Sequence, residues 1–567
     1  MNANLTEHEH IKSRSQRLRG TLAASLADEL TAAIDPADTQ IGKFHGFYQQ
    51  DDRDRRAARR EQWLEPEYSF MLRARLPGGV CTPAQWLAID RIGRELASGS
   101  VRLTTRQTFQ YHGIPKGDLR GVIQGIHQAL IDSIGGCGDI NRNVMCNPNP
   151  VESPLHAEVH AWAQRISEHL LPRTRAYHEL WLDGERLAGS GEEDEPIYGE
   201  TYLPRKFKVA IAVPPHNDVD VYANDLGFIA ITDPNEPTRL LGFNCLAGGG
   251  MGTTHGDRTT FPRLADDLGF VTPERVLAVA EAVVTAQCDF GNRVSRPHAR
   301  LKYTIERLGL DAFRSEVERR AGLTFAPPRP VAFTDHGDRY GWIRGHDGRW
   351  HLTLYIENGR LHDAPDRPLL TGLRAIAEVH RGDFRITPNQ NLIVAGVPAR
   401  QKQRIESLAR AHGLLAEGRS TLRLGAIACV AFPTCPQAMA ESERYFPDLL
   451  TRIETLAARH GLEREALVIR MTGCPNGCAR PFLAEIAFVG KGPGTYNLLL
   501  GGDGRGARLN SVYRENIGET EILTELDGLF ARFAAERQPD ERFGDFVVRV
   551  GIVRRVVNAA RDFHQAP

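Results

Sequence analysis

The chain has no long apolar run. Nowhere do its 567 residues approach the roughly 20 consecutive apolar residues of a membrane-spanning helix. The first residues, MNANLTEHEHIKSRSQ, carry no apolar signal core, so no secretory leader is expected. There is no charge excess either: 70 Lys and Arg face 71 Asp and Glu, for a net charge of −1, which argues against a global nucleic-acid footprint. Cysteine is scarce and unevenly spaced, nine in all. That is no disulfide framework, and a reducing, cytoplasmic address is expected. A dinucleotide fingerprint is missing as well. The nearest match, Gly502-x-Gly504-x-x-Ala507, runs into RLNSVY, with no helical pattern to present an N-terminus to a pyrophosphate.

What remains is a chain with an ordinary globular balance, 41% hydrophobic and 25% charged, long enough for three to five units of about 150 residues. Four of the nine cysteines crowd into one window, as Cys429-x5-Cys435 and Cys474-x3-Cys478. Each pair follows an apolar, β-branched run (LGAIACVAF, ALVIRMTG) that reads as a buried strand, and each is flanked by Pro or Gly. Two strand-end loops that each deliver two thiolates can build a four-sulfur site. Zinc prefers ligand pairs two to four residues apart, and ferredoxin-type runs cluster more tightly. The loose two-plus-two arrangement suits a cubane. A zinc-stabilised binding protein without redox function and a set of packed core thiols remain open on spacing alone.

The flanking residues narrow this choice. FPTCP and TGCPNGC, with DDRD, LPGGV, RLTTRQTFQ, NRNV, YLPRKFK and GDFRITPNQNLI, resemble the siroheme-containing nitrite and sulfite reductases over nearly the whole chain. The likeness is greatest to the hemoprotein (β) subunits of the NADPH-dependent assimilatory branch. The resemblance implies a 4Fe–4S cluster bound by Cys429, Cys435, Cys474 and Cys478, with Cys478 also supplying the thiolate shared with the siroheme iron. It implies six-electron reduction of sulfite to sulfide in sulfate assimilation and cysteine biosynthesis. Electrons would come from a flavoprotein (α) subunit carrying FAD and FMN and oxidising NADPH. The alternative is a ferredoxin-dependent sulfite or nitrite reductase. With no flavin-type domain recognisable, this chain is expected to bind neither flavin nor NADPH.

An internal repeat organises the chain. RLTTRQTFQYHGIP at 102–115 aligns without a gap to RITPNQNLIVAGVP at 385–398, a shift of 283 residues with five identities in 14. Continued, the shift lays Cys146 on Cys429 and no cysteine opposite the other three, so Cys146 is expected to be a packed thiol. The fold expected is α+β: duplicated ferredoxin-like reductase half-domains plus two siroheme/iron–sulfur α/β domains. Breaks are placed to give an arm at 1–64, half-domains at 65–144 and 331–419, and larger domains at 145–330 and 420–567. The charged DDRDRRAARREQ suggests an extended arm, which the resemblance associates with partner binding. FVVRVGIV reads as a strand, and Pro447 is expected to divide two helices.

Siroheme has eight carboxylates, and reducing a small dianion beside it calls for many fixed cations. Arg73 and Arg75 alternate in LRARL, and Lys206 and Lys208 alternate in RKFK, so each pair is expected on one strand face. By resemblance, Arg73, Arg142, Lys206 and Lys208 surround the anion, and Arg102, Arg106, Gln110 and His112 bind siroheme. Gln390 and Asn391, repeat partners of Gln107 and Thr108, are expected to touch the macrocycle too. So is the glycine-rich stretch from Asn244 to Gly256, and Arg300 and Lys302 are possible further cations.

Overall fold

The computed structural model describes residues 5–148, 153–173, 180–182, 185–188 and 195–565. Its frame is four five-stranded sheets arranged as two related pairs.

The first pair exchanges strands. One sheet runs, in spatial order, Phe47–Asp51, Tyr68–Arg73, Phe109–Ile114, Val101–Leu103 and Arg360–Leu361; the other runs Gly341–Arg344, Trp350–Leu354, Leu392–Val397, Asp383–Ile386 and Val80–Cys81. Each sheet thus closes one edge with a two-residue strand from the other half of the chain, and the half-domains are not independent units. Helix Pro83–Leu96 opens with Pro at its first turn and a capping box in which Thr82 and Gln85 satisfy each other's backbone N–H groups. It packs Trp86 between Phe109 and Phe384, one ring from each sheet.

The second pair repeats one topology. Met145–Cys146, Val209–Ala212 and Leu226–Thr232 run parallel, followed by antiparallel Leu240–Ala247 and Asp266–Val271. Ile427–Ala428, Ile469–Thr472, Ile486–Gly492, Thr495–Leu500 and Ser511–Ile517 do the same. The parallel strands are buried throughout (VAIA, IRMT), as expected where both faces of a sheet are covered.

Strand register corrects the repeat alignment. Cys146 pairs with Ile211, and Ala428 pairs with Met471, the equivalent strand position. Cys146 therefore corresponds to Ala428, and Cys429 to Asn147, because the first half carries one extra residue between Pro115 and Met145. Cys146 is nonetheless a packed thiol: it is fully buried, and burial pushes it up to about 12.

Three local expectations fail. Residues 5–64 form no extended arm. Helix Glu7–Arg14 is tied down by Arg293 on Glu9 at 2.5 Å and by Lys12 donating to the Leu203 carbonyl at 2.7 Å, and Phe47–Asp51 is an edge strand. The charged stretch DDRDRRAARREQ includes a short exposed helix, Arg56–Glu61, anchored at its start by the pair of Arg56 with Asp51. FVVRVGIV is no strand: its first four residues finish helix Phe543–Arg549 and the rest turns away, because Phe543, Phe546 and Val547 follow the spacing of one helix face and pack against Phe530 and Phe533. Pro447 lies in the first turn of Phe446–Arg459, a position where its missing N–H costs nothing, so it starts one helix instead of dividing two.

Candidate active site

The two sheet pairs meet around a cavity of about 460 Å³. Cys429 and Cys435 follow strand Ile427–Ala428, and Cys474 and Cys478 follow Ile469–Thr472; all four line this cavity. Cys474 is buried, Cys429 and Cys435 are half-buried, and Cys478 is the most open, toward the cavity. Burial, then the neighbouring Cys478, pushes Cys429 up to about 12; burial and the three other thiols raise Cys474 as well. Four thiolates this close need a compensating positive charge. Gly473 N–H already donates to Cys429 Sγ at 3.3 Å. Among the described residues no three His, Cys, Asp or Glu side chains converge on a single-ion position.

Arg73, Arg142, Lys206 and Lys208 line the same cavity. Arg73 lies opposite Gln110 across adjacent strands, and in the amide orientation that satisfies both groups Gln110 accepts from Arg73 Nε at 3.0 Å. Arg142 is held by the Gly138 carbonyl at 2.8 Å. Lys206 and Lys208 sit just before strand Val209–Ala212, in an extended segment whose intervening Phe207 is buried, so the expected alternation holds. Burial lowers Lys206 to about 7, with Arg205 acting the same way and Cys478 opposing; burial and Lys206 hold Lys208 far below the ordinary lysine value. Arg75 leaves this face, bonding Ser167 at 3.1 Å and facing Asp132 at 3.5 Å, because the strand ends at Arg73.

The residues expected to bind siroheme divide. Arg102, Arg106, Gln110, His112 and Gln390 all line the cavity. Three of them carry a buried polar atom without a hydrogen-bond partner: Arg106 Nε, His112 Nε2 and Gln390 Oε1. Burial, then Arg360 and Arg102, keep His112 neutral, well below its usual value. Arg102 is already engaged, with Nε on Glu443 at 2.7 Å and Nη2 on the Ala428 carbonyl at 2.9 Å.

Asn391 departs from expectation. It donates to Asp338 and Tyr340, each at 2.8 Å, and accepts from the Ile356 N–H at 2.9 Å; it braces a loop away from the cavity lining. Of the Asn244–Gly256 stretch, Met251 reaches the cavity, whereas Asn244 is bonded to the backbone of Arg329. Lys302 holds that stretch from behind through the carbonyls of Gly250, Gly252 and Phe261. Arg300 forks onto buried Asp225 at 2.7–2.9 Å, as Arg542 reaches Glu485 at the equivalent point of the other half. Both cations are structural.

Sequence reasoning missed Lys43, Tyr48, Gln50, Arg205 and Arg480, which also line the cavity. Arg205 is the third cation of RKFK and was legible there. The first three arrive on the segment read as an arm. Among the described residues Asp139 is the sole carboxylate of the lining; Arg296 engages it bidentately at 2.6 and 3.0 Å and, despite burial, holds it well below the usual carboxylate range.

A family model for the nitrite/sulfite reductase ferredoxin-like half domain matches residues 64–129 and again 343–412, and one for the nitrite and sulphite reductase 4Fe-4S domain matches 161–325. The "sulfite reductase (NADPH) hemoprotein beta-component" of Thiocapsa roseopersicina is 68% identical over 565 residues, covering 100% of both chains. The protein of that name from Shewanella denitrificans is 60% identical over 561 residues, covering 99% of both. The solved Mycobacterium tuberculosis NirA protein shares the fold, with a TM-score of 0.78 at 24% identity over 97% of each chain. No helix among the described residues is long and apolar enough to cross a membrane. The zinc-stabilised binding protein is therefore set aside: the chain belongs to the nitrite and sulfite reductase family.

Proposed function

We propose that this chain reduces sulfite to hydrogen sulfide by six electrons, as the heme-bearing component of an NADPH-dependent assimilatory sulfite reductase, in sulfate assimilation toward cysteine. One observation carries the reading: a single cavity holds four thiols together with Arg73, Arg142, Lys206 and Lys208. The donor set fits the family's cofactors. Cys429, Cys435, Cys474 and Cys478 would hold a 4Fe–4S cluster, and the open Cys478 would be shared with siroheme. The unpartnered atoms of Arg106, His112 and Gln390 would face siroheme carboxylates. Bound together, the two cofactors would supply electrons one at a time.

The chain supplies the rest. Arg73 and Arg142, fixed by Gln110 and by the Gly138 carbonyl, hold the anion's oxygens with charge-assisted donors that need no reorganisation. Lys206, lowered to about 7 by burial, passes between charged and neutral forms at neutral pH and can hand a proton to an oxygen that leaves as water. Electrons are proposed to come from a flavoprotein α subunit carrying FAD and FMN, since the relatives are named beta-components. Ferredoxin is the second reading, and a cytoplasmic setting suits the nine cysteines, all of them free thiols. Anaerobic assay of the purified chain tests this: reduced methyl viologen should drive sulfite reduction, with nitrite compared alongside, and NADPH alone should drive neither. Sulfide production from NADPH by the pure chain would overturn the assignment of donor.

A further inference from the structure

The DDRD motif at 51–54 lies in the N-terminal segment and none of its residues lines the cavity, yet it is bound to the cysteine loops. Arg53 Nη1 donates to the Ala438 carbonyl at 2.5 Å and to the Cys435 carbonyl at 3.3 Å. Its guanidinium lies 4.5 Å from the centre of the Phe432 ring, and its own N–H donates to the Pro433 carbonyl at 3.2 Å. One residue therefore grips the Cys435 loop on both sides of the thiol. The other members of the motif hold Arg53 in place. Asp51 pairs bidentately with Arg56 at 2.7 and 2.8 Å, Asp52 accepts from the N–H groups of Asp54 and Arg55, and Asp54 bridges to Arg444 at 2.6 Å. Arg444 follows Glu443, whose N–H donates to the Cys429 carbonyl at 3.1 Å. The motif is thus a clasp between the N-terminal segment and the loops of the first cysteine pair.

A fixed cation next to a cluster ligand has a second consequence. Adding an electron makes a thiolate-ligated cluster more negative, so a nearby positive charge stabilises the reduced state more than the oxidised one. Local charge, hydrogen bonding and solvent access are the protein's means of setting a cluster potential. Arg53 supplies the charge, and together with Phe432 it covers the loop.

We propose that Arg53 is a positioning residue that clamps the Cys435 loop and raises the reduction potential of the cluster held there. This rests on the cluster assignment under Proposed function. Its action is on electron acceptance rather than on the anion, and Arg53 is absent from the cavity lining where sulfite would sit.

The test is an anaerobic redox titration of the holoenzyme, following the electron paramagnetic resonance signal of the reduced cluster, with Arg53→Gln and Arg53→Lys. Arg53→Gln should shift the cluster to more negative potential by about a tenfold change in the reduced-to-oxidised ratio, 59 mV for one electron. Arg53→Lys keeps the charge but not the planar fork. It should retain a near-wild-type potential while losing its cluster faster to a chelator. A fully loaded Arg53→Gln protein that titrates with wild-type overturns the proposal. If Arg53→Gln does not assemble a cluster, Arg53→Lys decides: a potential displaced as far as tenfold removes the role of charge, and wild-type chelator resistance removes the clamp. Absence of any cluster signal in the wild-type protein would instead sink the cofactor assignment itself, so the two failures are distinguishable.

Discussion

Asp220 and Arg480 occupy equivalent positions in the two halves of the fold, 260 residues apart, and are joined to each other by an ion pair of 2.5 Å. Each precedes a short helical turn, Val221–Ala223 or Pro481–Leu483, and each is in the left-handed region, at φ 47 and φ 53. Arg480 also donates to the carbonyls of Thr105 and Pro388, both at 3.0 Å, which are equivalent under the 283-residue repeat. One guanidinium thus straddles both duplications, two residues after Cys478. Duplication has left a carboxylate on one side and a cation on the other, and their pairing fixes the relative placement of the halves.

The first prediction follows from that pair. Asp220 also accepts from Arg470 at 2.8 Å and contacts His336 at 2.7 Å, all fully or nearly fully buried. Burial alone would raise the Asp220 carboxyl, but Arg470 and Arg480 outweigh it and hold it well below the usual range. Asp220→Asn strands two buried guanidinium groups and should cost about 3–5 kcal/mol of stability, read by denaturant unfolding of the loaded protein. A carboxyl lowered in the folded state contributes stability that is fully present above its unfolded value, near pH 4, and is lost only as pH falls through its still lower folded value. The wild-type–variant difference should therefore be flat from pH 7 to about 5. A difference that halves across that range would show that Asp220 is not the charged hub described here.

A second prediction concerns the thiols. Cys429→Ser, Cys435→Ser and Cys474→Ser should each abolish the cluster and the siroheme spectrum, since a hydroxyl is a poor substitute for a thiolate. Cys146→Ser should leave the visible spectrum intact, because strand register makes Cys146 the equivalent of Ala428 rather than of a cysteine. Equal spectral loss in all four variants would remove the asymmetry drawn between the two halves.

How much of this was legible beforehand depends on how local each determinant is. The thiol loops were readable because strand, turn and ligand lie within ten residues of one another. The Lys206–Lys208 alternation was readable because Phe207 between them is an evident core residue. The exchange of Val80–Cys81 and Arg360–Leu361 between sheets was not. Two-residue strands carry no periodicity, and their partners lie hundreds of positions away. The N-terminal segment misled for the same reason: Arg53 looks as solvated as the exposed arginines beside it until it meets the Cys435 loop. Asn391 shows the limit of repeat logic, since equivalence to Thr108 set its position but not its side-chain partners.

The third prediction uses Asn391. Its bond to the Ile356 N–H is buried and those to Asp338 and Tyr340 are partly so, so Asn391→Ala removes three hydrogen bonds, leaves the Ile356 N–H without this acceptor and should cost about 1–3 kcal/mol. Turnover per loaded cofactor and the visible spectrum should stay near wild type. A changed siroheme spectrum at unchanged stability would return Asn391 to the cofactor.

The last prediction addresses the anion site directly. Lys206→Ala and Lys208→Ala should each reduce sulfite turnover by about 10²–10³, the usual cost of one preorganised donor, with cofactor loading retained. Core packing would predict the reverse, lost stability with normal turnover per folded molecule; but both side chains face the cavity while Phe207 supplies the packing. Lys206 also makes a statement about pH. Burial first, and Arg205 second, lower it to about 7, against the opposing pull of Cys478. The charged form, which binds the anion and donates the proton, is therefore lost as pH rises through about 7. Turnover at saturating sulfite should fall along that limb, and Lys206→Arg, which cannot lose its charge in this range, should flatten the fall at a lower maximum. If Lys206→Ala retains the same alkaline limb as wild type, Lys206 is not the group that titrates, and its place as proton donor passes to another residue of the cavity.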